Sequence, residues 1–367
     1  MKVLIATDSF KGTLTSYEAG VAISKGIKKA CPGASVTVKQ LADGGEGTYE
    51  AVTKAIGAES VRTEVTGPIG LPVAARYGIL GTTAVMDISQ ACGLTLVPED
   101  RRDPLYTTTY GIGEMITDAL DKGCRKFIIG LGGSSTNDCG AGMLQRLGVK
   151  IRDNDGCDIR QGAEGLKDVS SVDTNGLDPR ISESEFLIAC DVDNPLTGDL
   201  GCSMIFAPQK GADRESCILM DGWILRFADL AGGDPSFPGS GAAGGLGYAM
   251  RTFLNGRLVP GASLLIEQTG IRSEITNADI VITGEGCLDD QTSMGKAPSV
   301  IAELASSSGK HVIAFAGCIK ADPSKLKSMG IDEAYSISDN VTQEEAMRNA
   351  ASLLTNKAYE VFNGRSV

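Results

Sequence analysis

One histidine and one tryptophan occur in 367 residues, and aromatic residues make up only 5% of the chain. That scarcity excludes the commonest acyl-transfer machinery, because a Ser–His pair needs a histidine at a sheet's working edge. The lone His311 instead follows Lys310 and opens an apolar run, at the amino end of an expected strand. The ten cysteines, at 31, 92, 124, 139, 157, 190, 202, 217, 287 and 318, form no Cys-x-x-Cys pair. With one histidine beside them, a zinc cluster is not expected. A Walker A loop is also lacking: Gly295-Lys296 is followed by Ala297, and Asp290 holds the position of the leading glycine.

No stretch approaches the ~18 apolar residues of a membrane span, and Asp8 and Lys11 interrupt the only early apolar run. Neither a membrane helix nor a signal peptide is therefore expected. Basic charge is short too. The formal net charge is −12 and the sequence pI about 4.7, which argues against nucleic acid or an anionic membrane as the main partner. Scattered cysteines, taken as unpaired, in a chain without an export signal point to a reduced, cytoplasmic protein.

Glycine is what the chain has in excess. Its 47 glycines show no collagen period and gather at the ends of apolar runs. Apolar content of 42% and charged content of 22% fit a globular protein, and 367 residues suggest two domains. Lys126–Ile129 empties into Gly130-Leu131-Gly132-Gly133-Ser134-Ser135-Thr136-Asn137-Asp138. Successive N–H groups in such a turn form a concave anion site, hydroxyls add donors, and the helix expected from about Gly140 to Leu147 adds an amino terminus. Two more junctions of the same kind are Ala42-Asp43-Gly44-Gly45-Glu46-Gly47 and Thr283-Gly284-Glu285-Gly286. Three glycine junctions with carboxylates attached point to a shared site at the carboxyl edge of a sheet.

The ends of the chain share one grammar. Strand Val3–Ala6, helix Ser16–Ala30 and strand Val36–Leu41 open it; strand Ile280–Thr283, helix Ala297–Ser308, strand His311–Ala316 and a last helix Glu344–Phe362 close it. Each half is too small to stand alone, so residues 1–60 and 285–367 are expected to join in one discontinuous Rossmann- or flavodoxin-like α/β domain. Residues 61–284 are expected to form an inserted α/β domain.

Other motifs carry two readings each. Gly239-Ser240-Gly241-Ala242-Ala243-Gly244 has dinucleotide spacing, but Pro235 and Pro238 stand where a strand should precede it. Gly241–Gly247 is expected to seat a helix amino end on another backbone or on phosphate. Asp191 and Asp193 with Asn194 follow strand Glu185–Ala189 and could take part in holding Mg²⁺, or form a turn before Pro195. Asp8 and Lys11 leave the first strand; Lys296 pairs with Glu285 and Asp289 or faces a transferring phosphoryl group. Positioning and charge stabilisation are what phosphoryl transfer needs.

On these residues the chain resembles the bacterial glycerate kinase family along its whole length. The carriers are Asp8–Gly12, Ala42–Gly47, Thr66-Gly67-Pro68, Gly132–Asp138, Asp191–Leu196, Gly241–Gly245, and Gly284-Glu285-Gly286 with Asp289, Gln291, Gly295 and Lys296. The resemblance implies two α/β domains with the active site in the cleft between them, ATP and Mg²⁺ as cofactors, and D-glycerate as the small-molecule substrate, giving 2-phosphoglycerate or, in some relatives, the 3-phosphate. Catalytic candidates are Asp8, Lys11, Asp191 and Lys296. Phosphate-binding candidates are Gly132, Gly133, Ser134, Ser135, Thr136, Asn137, Gly241, Gly244 and Gly245. Substrate-binding candidates are Asp43, Gly44, Gly45, Glu46, Asn194, Glu285, Asp289 and Gln291; Asp191 and Asp193 are the metal candidates.

Four positions depart from the family pattern: Thr7 for proline, Cys139 for glycine, the pair Ser293-Met294, and Cys287 for arginine. An arginine there would fork onto carboxylate or phosphate, each charged hydrogen bond contributing ~1.5–3 kcal/mol. A related hydroxy acid as substrate, or a nucleotide-binding regulator without turnover, are the alternatives. A homo-oligomer is left open.

Overall fold

The computed structural model describes the chain except residues 11, 42–48, 50, 51, 54, 55, 290, 291, 293–296, 340, 366 and 367. Lys11, Asp43, Gly44, Gly45, Glu46, Gln291 and Lys296, all named above, lie outside the described residues. The fold is mixed α/β, and the chain divides into two compact units, residues 1–43 with 262–367 and residues 44–261.

The terminal unit is built on five parallel strands, in the order Glu333–Ser336, His311–Ile319, Ile280–Leu288, Lys2–Ile5, Ser35–Val38. Numbered within this unit, the order is 2-1-3-4-5, the flavodoxin-like winding, which reverses between the first and third strands. Apolar residues cover both faces. Leu4, Val281, Val312 and Ala314 enter one core, and Val3, Ile5, Ile282, Ile313 and Phe315 the other. Burial on both faces is what makes these strands read as unbroken apolar runs.

The helix Ser16–Ala30 starts from a capping box: Thr15 Oγ1 accepts from Glu18 N while the Glu18 carboxylate accepts from Thr15 N, 2.9 Å away. Two local expectations are corrected. Gly284–Gly286 form no turn but stay in the strand, which runs on to Leu288, and a Cβ on Gly284 would strike the Phe315 carbonyl of the neighbouring strand. The last helix is two helices, Gln343–Arg348 and Ala350–Phe362, because Asn349 leaves the helical region.

The cysteines are not all unpaired. Cys287 and Cys318 face each other across strands Ile280–Leu288 and His311–Ile319 and form a disulfide. A separation of 31 residues hides the pair in the sequence, and only the strand register brings the two sulfurs together.

The unit of residues 44–261 carries a six-stranded sheet in the order Arg257–Val259, Glu185–Ala189, Lys126–Gly130, Thr83–Asp87, Pro72–Leu80, Glu59–Thr66. The first four strands are parallel and the last three antiparallel, sharing Thr83–Asp87, with no reversal of winding. Phe127 and Phe186 stack at 4.6 Å between neighbouring strands. Among the described residues, no helix is long and apolar enough to cross a membrane.

Candidate active site

Each unit gathers its chemistry at the carboxyl ends of its strands. In the terminal unit, the chain beyond Ile5 keeps contact with strand Ile280–Leu288: Ala6 N donates to Ile282 O and Asp8 N to Gly284 O, both at 2.8 Å. Asp8 and Glu285 are thereby brought together, buried, at the reversal of the winding, where open parallel sheets bind ligands. Glu285 accepts from the Thr292 hydroxyl at 2.6 Å, and that hydroxyl accepts from Asp289 N at 3.0 Å, so Glu285 and Asp289 share one small network. Thr7 exchanges bonds with Ser16: its carbonyl accepts from Ser16 Oγ at 2.6 Å and its hydroxyl donates to Ser16 O at 3.4 Å. His311 lies at the opposite, amino end of the sheet, bonded to Glu333 at 2.6 Å and Asp332 at 3.2 Å.

In the other unit the run after Lys126–Gly130 divides in two. Gly132 is half-buried and Gly133, with φ of 74°, is exposed, so their backbone can meet a ligand. Ser134, Ser135, Thr136 and Asn137 are buried. Ser135 donates from both N and Oγ to the Cys92 carbonyl at 2.8 Å, and Thr107 Oγ1 donates to Ser135 O at 2.8 Å. Asn137 donates to Ser203 Oγ at 2.8 Å, while its Oδ1 has no partner among the described residues.

The helix amino end does not serve as the anion site expected of it, because its own chain occupies it. The fully buried Asp138 carboxylate accepts from Thr109 N and Oγ1, Gly140 N and Gly142 N, and Thr109 Oγ1 accepts from Met143 N. Burial pushes the Asp138 carboxyl up against these bonds, which pull it down. Cys139 takes φ of 50° and donates its N–H to Gly244 O at 2.9 Å.

The segment Gly241–Gly247 packs on backbone. A Cβ on Gly244 would strike the Thr136 carbonyl, one on Gly245 the Cys139 backbone, and one on Gly241 the Pro195 carbonyl. Glycine is required here by the close approach of segments of the same chain. Asn194 donates its side-chain N–H to Leu200 O at 2.8 Å, and Asp191 accepts from Gly261 N at 2.7 Å, the residue following strand Arg257–Val259 by two.

Asp191 and Asp193 are exposed at the end of strand Glu185–Ala189. Among the described residues, no group of three or more His, Cys, Asp or Glu side chains is arranged to hold a metal ion. Two exposed carboxylates fit a magnesium ion that is delivered on phosphate oxygens and keeps its waters.

Two side chains escaped the sequence reading. Asp87 ends strand Thr83–Asp87, is buried, and accepts from Tyr49 N at 3.0 Å; a carboxylate closing a parallel strand is the signal that marks it, as it marks Asp191. Lys210 is only 2% exposed, and its ammonium donates to Ser134 Oγ at 2.8 Å and to Thr136 O at 2.7 Å, beneath the glycine run. No spacing signals that contact, which spans 74 residues or more.

Comparison with known proteins agrees with this architecture over its length. A family model described as the glycerate kinase family matches residues 3–365. A glycerate kinase of Bacillus subtilis (strain 168) is 43% identical over 369 residues, covering 98% of this chain and 97% of that protein. A protein of Escherichia coli (strain K12) named glycerate 2-kinase is 41% identical over 358 residues, covering 95% and 94%. A crystal structure assigned to glycerate kinase 2 of Salmonella typhimurium LT2 matches with a TM-score of 0.84 at 41% identity, covering 99% of this chain and 97% of that one.

Proposed function

The chain belongs to the glycerate kinase family and is a kinase, and from that premise we propose that it transfers the γ-phosphoryl group of ATP to the 2-hydroxyl of D-glycerate. The bond formed joins the glycerate oxygen to Pγ; the bond broken is Pγ–O to the β-phosphate, and ADP leaves. The observation that carries the reading is the Gly132-Gly133 turn, half-buried and then exposed, with a buried lysine beneath it, read as a backbone anion site with no Walker motif.

In this reading Gly132–Asn137 with Gly241, Gly244 and Gly245 forms the nucleotide side. Only the Gly132 and Gly133 backbone is open enough to meet phosphate directly; the other residues set its shape. Asp8 takes the hydroxyl proton as the oxygen attacks. Lys11 and Lys296 neutralise charge on the moving phosphoryl group, and Asp43–Glu46, Asn194, Glu285, Asp289 and Gln291 hold the hydroxy acid. Asp191 and Asp193 would hold magnesium, which when bound withdraws charge from the phosphate oxygens. Phosphorylation of a sugar-acid product with ATP suits the cytoplasm, where ATP is made.

A second substrate reading has its own observation. Cys287, at a position where the family resemblance leads one to expect arginine, is tied to Cys318, so this position offers no cationic fork for a carboxylate. A small hydroxy acid with different polar groups would be the substrate if Lys11 or Lys296 does not compensate. ADP release measured over D-glycerate, L-glycerate, glycolate, lactate and tartronate decides between them. Release with D-glycerate supports the first reading, and release only with another acid supports the second. ATP binding without release from any acid would leave a regulator. Phosphorus–proton coupling in the product distinguishes the 2- from the 3-phosphate.

A further inference from the structure

Lys210 is buried without an ion-pair partner among the described residues. Its ammonium is met by a hydroxyl and a carbonyl alone, Ser134 Oγ and Thr136 O. Removing an ammonium ion from water costs several kcal/mol even after relaxation, and two neutral acceptors recover only part of it. A neutral donor could bridge the same two oxygens at less cost. The buried Asp138 carboxylate favours this charge but forms no ion pair with it, so the placing of an ammonium directly against the turn is the feature to be explained.

The lysine is also fixed from behind. It ends the short turn Pro208–Lys210, its N–H donates to Ala207 O at 2.9 Å, and Gly211 follows at φ of 104°, where a Cβ would strike the Arg102 carbonyl. The ammonium holds both sides of Ser135, directly after the two glycines whose backbone is open.

We infer that Lys210 is a positioning residue for nucleotide binding: it holds the Gly132–Thr136 turn in shape and places a positive charge under the amides that receive the phosphates. The inference rests on the reading that this turn takes the phosphates of ATP. The groups facing Lys210 are Cys202, Cys92 and Asp138. Burial brings the ammonium down to about 8, while it holds the Cys202 thiol at about 11 and the Cys92 thiol at about 12. Between pH 7 and 9.5 the lysine is then the group of this cluster that changes charge.

The test uses the full chain with Lys210→Met, which keeps the aliphatic stem, and Gly132→Val, which obstructs the turn itself. KM for ATP, KM for the acid and kcat are measured from pH 7 to 9.5, with melting temperature beside them. Lys210→Met is expected to raise KM for ATP at least tenfold at pH 7, with KM for the acid changed less than twofold. In the unaltered chain, KM for ATP should rise above pH 8, and in Lys210→Met that rise should vanish. A variant that melts lower but binds ATP as before would overturn the inference. If Lys210→Met does not fold, an unaltered chain whose KM for ATP stays flat to pH 9.5 overturns it equally, and a rise supports it. Gly132→Val separates the premise: an unchanged KM for ATP there means that the turn is not the nucleotide site, whatever Lys210 does.

Discussion

The two sheets solve the placing of polar chemistry at a strand's carboxyl end in different ways. The terminal sheet reverses its winding between Lys2–Ile5 and Ile280–Leu288, and sets two buried carboxylates, Asp8 and Glu285, at the reversal. The sheet of residues 44–261 never reverses, so topology opens no crevice among its strands. In the function proposed above its anion site comes from local backbone instead, with the half-buried Gly132 and exposed Gly133 over a buried ammonium. One edge offers acids suited to a hydroxyl and its proton; the other offers amides and positive charge suited to phosphate. Phosphoryl transfer needs both, and the second edge carries carboxylates as well, at Asp87, Asp191 and Asp193.

The sharpest way to break this division is to neutralise the acid edge. Asp8→Asn keeps the side chain's size and removes its capacity to take a proton. It is expected to lower kcat by about 10²–10⁴-fold with KM for ATP nearly unchanged. A loss confined to KM for ATP would assign Asp8 to the nucleotide side and undo the contrast.

The amide edge answers to packing rather than charge. Gly244→Ala forces a left-handed φ of 69° on a residue with a Cβ and drives that Cβ into the Thr136 carbonyl. Roughly 2–4 kcal/mol should be lost in urea unfolding, because the carbonyl it strikes is backbone and cannot swing away. A neutral outcome would mean that the two segments do not touch as described.

The smallest effect belongs to the terminal sheet's opposite end, which serves as a control. Burial alone would raise the Glu333 carboxyl, but Tyr335, Arg365 and His311 all donate to it and hold it at about 2. Its folded value lies below the unfolded one, so its contribution is present above about pH 4.5 and is lost as pH falls toward 2. Glu333→Gln should therefore cost about 1–2 kcal/mol at pH 7, with the gap to the unaltered chain closing near pH 2 and kcat unchanged at pH 7. A fall in kcat would show that the two ends of the sheet are not independent.

Much of this architecture was legible in the residues, for reasons that are local. Ser16–Ala30 and Glu185–Ala189 have the expected bounds, because a capped apolar stripe and a short β-branched run need no distant partner to be recognised. Local rules fail where the decision is made across the chain. The pairing of Lys150–Arg152 with Ser171–Asp173 was missed, since strands of three residues carry too little periodicity. Gly284–Gly286 resembled a loop because glycine usually breaks strands, yet here it lets Phe315 approach. The site follows the same division. Asp8 and the glycine turn announce themselves by following strands, and Glu285 by an acid set between glycines, whereas Lys210 and the Cys287–Cys318 bond exist only through tertiary contact.

Backbone hydrogen exchange, followed by mass spectrometry with a non-hydrolysable ATP analogue, tests the division of labour most directly. The account predicts slowed exchange in peptides spanning residues 131–134 on adding the analogue, with 7–9 and 284–289 responding instead to the hydroxy acid. Protection of 284–289 by the nucleotide, with 131–134 exchanging as before, would contradict it.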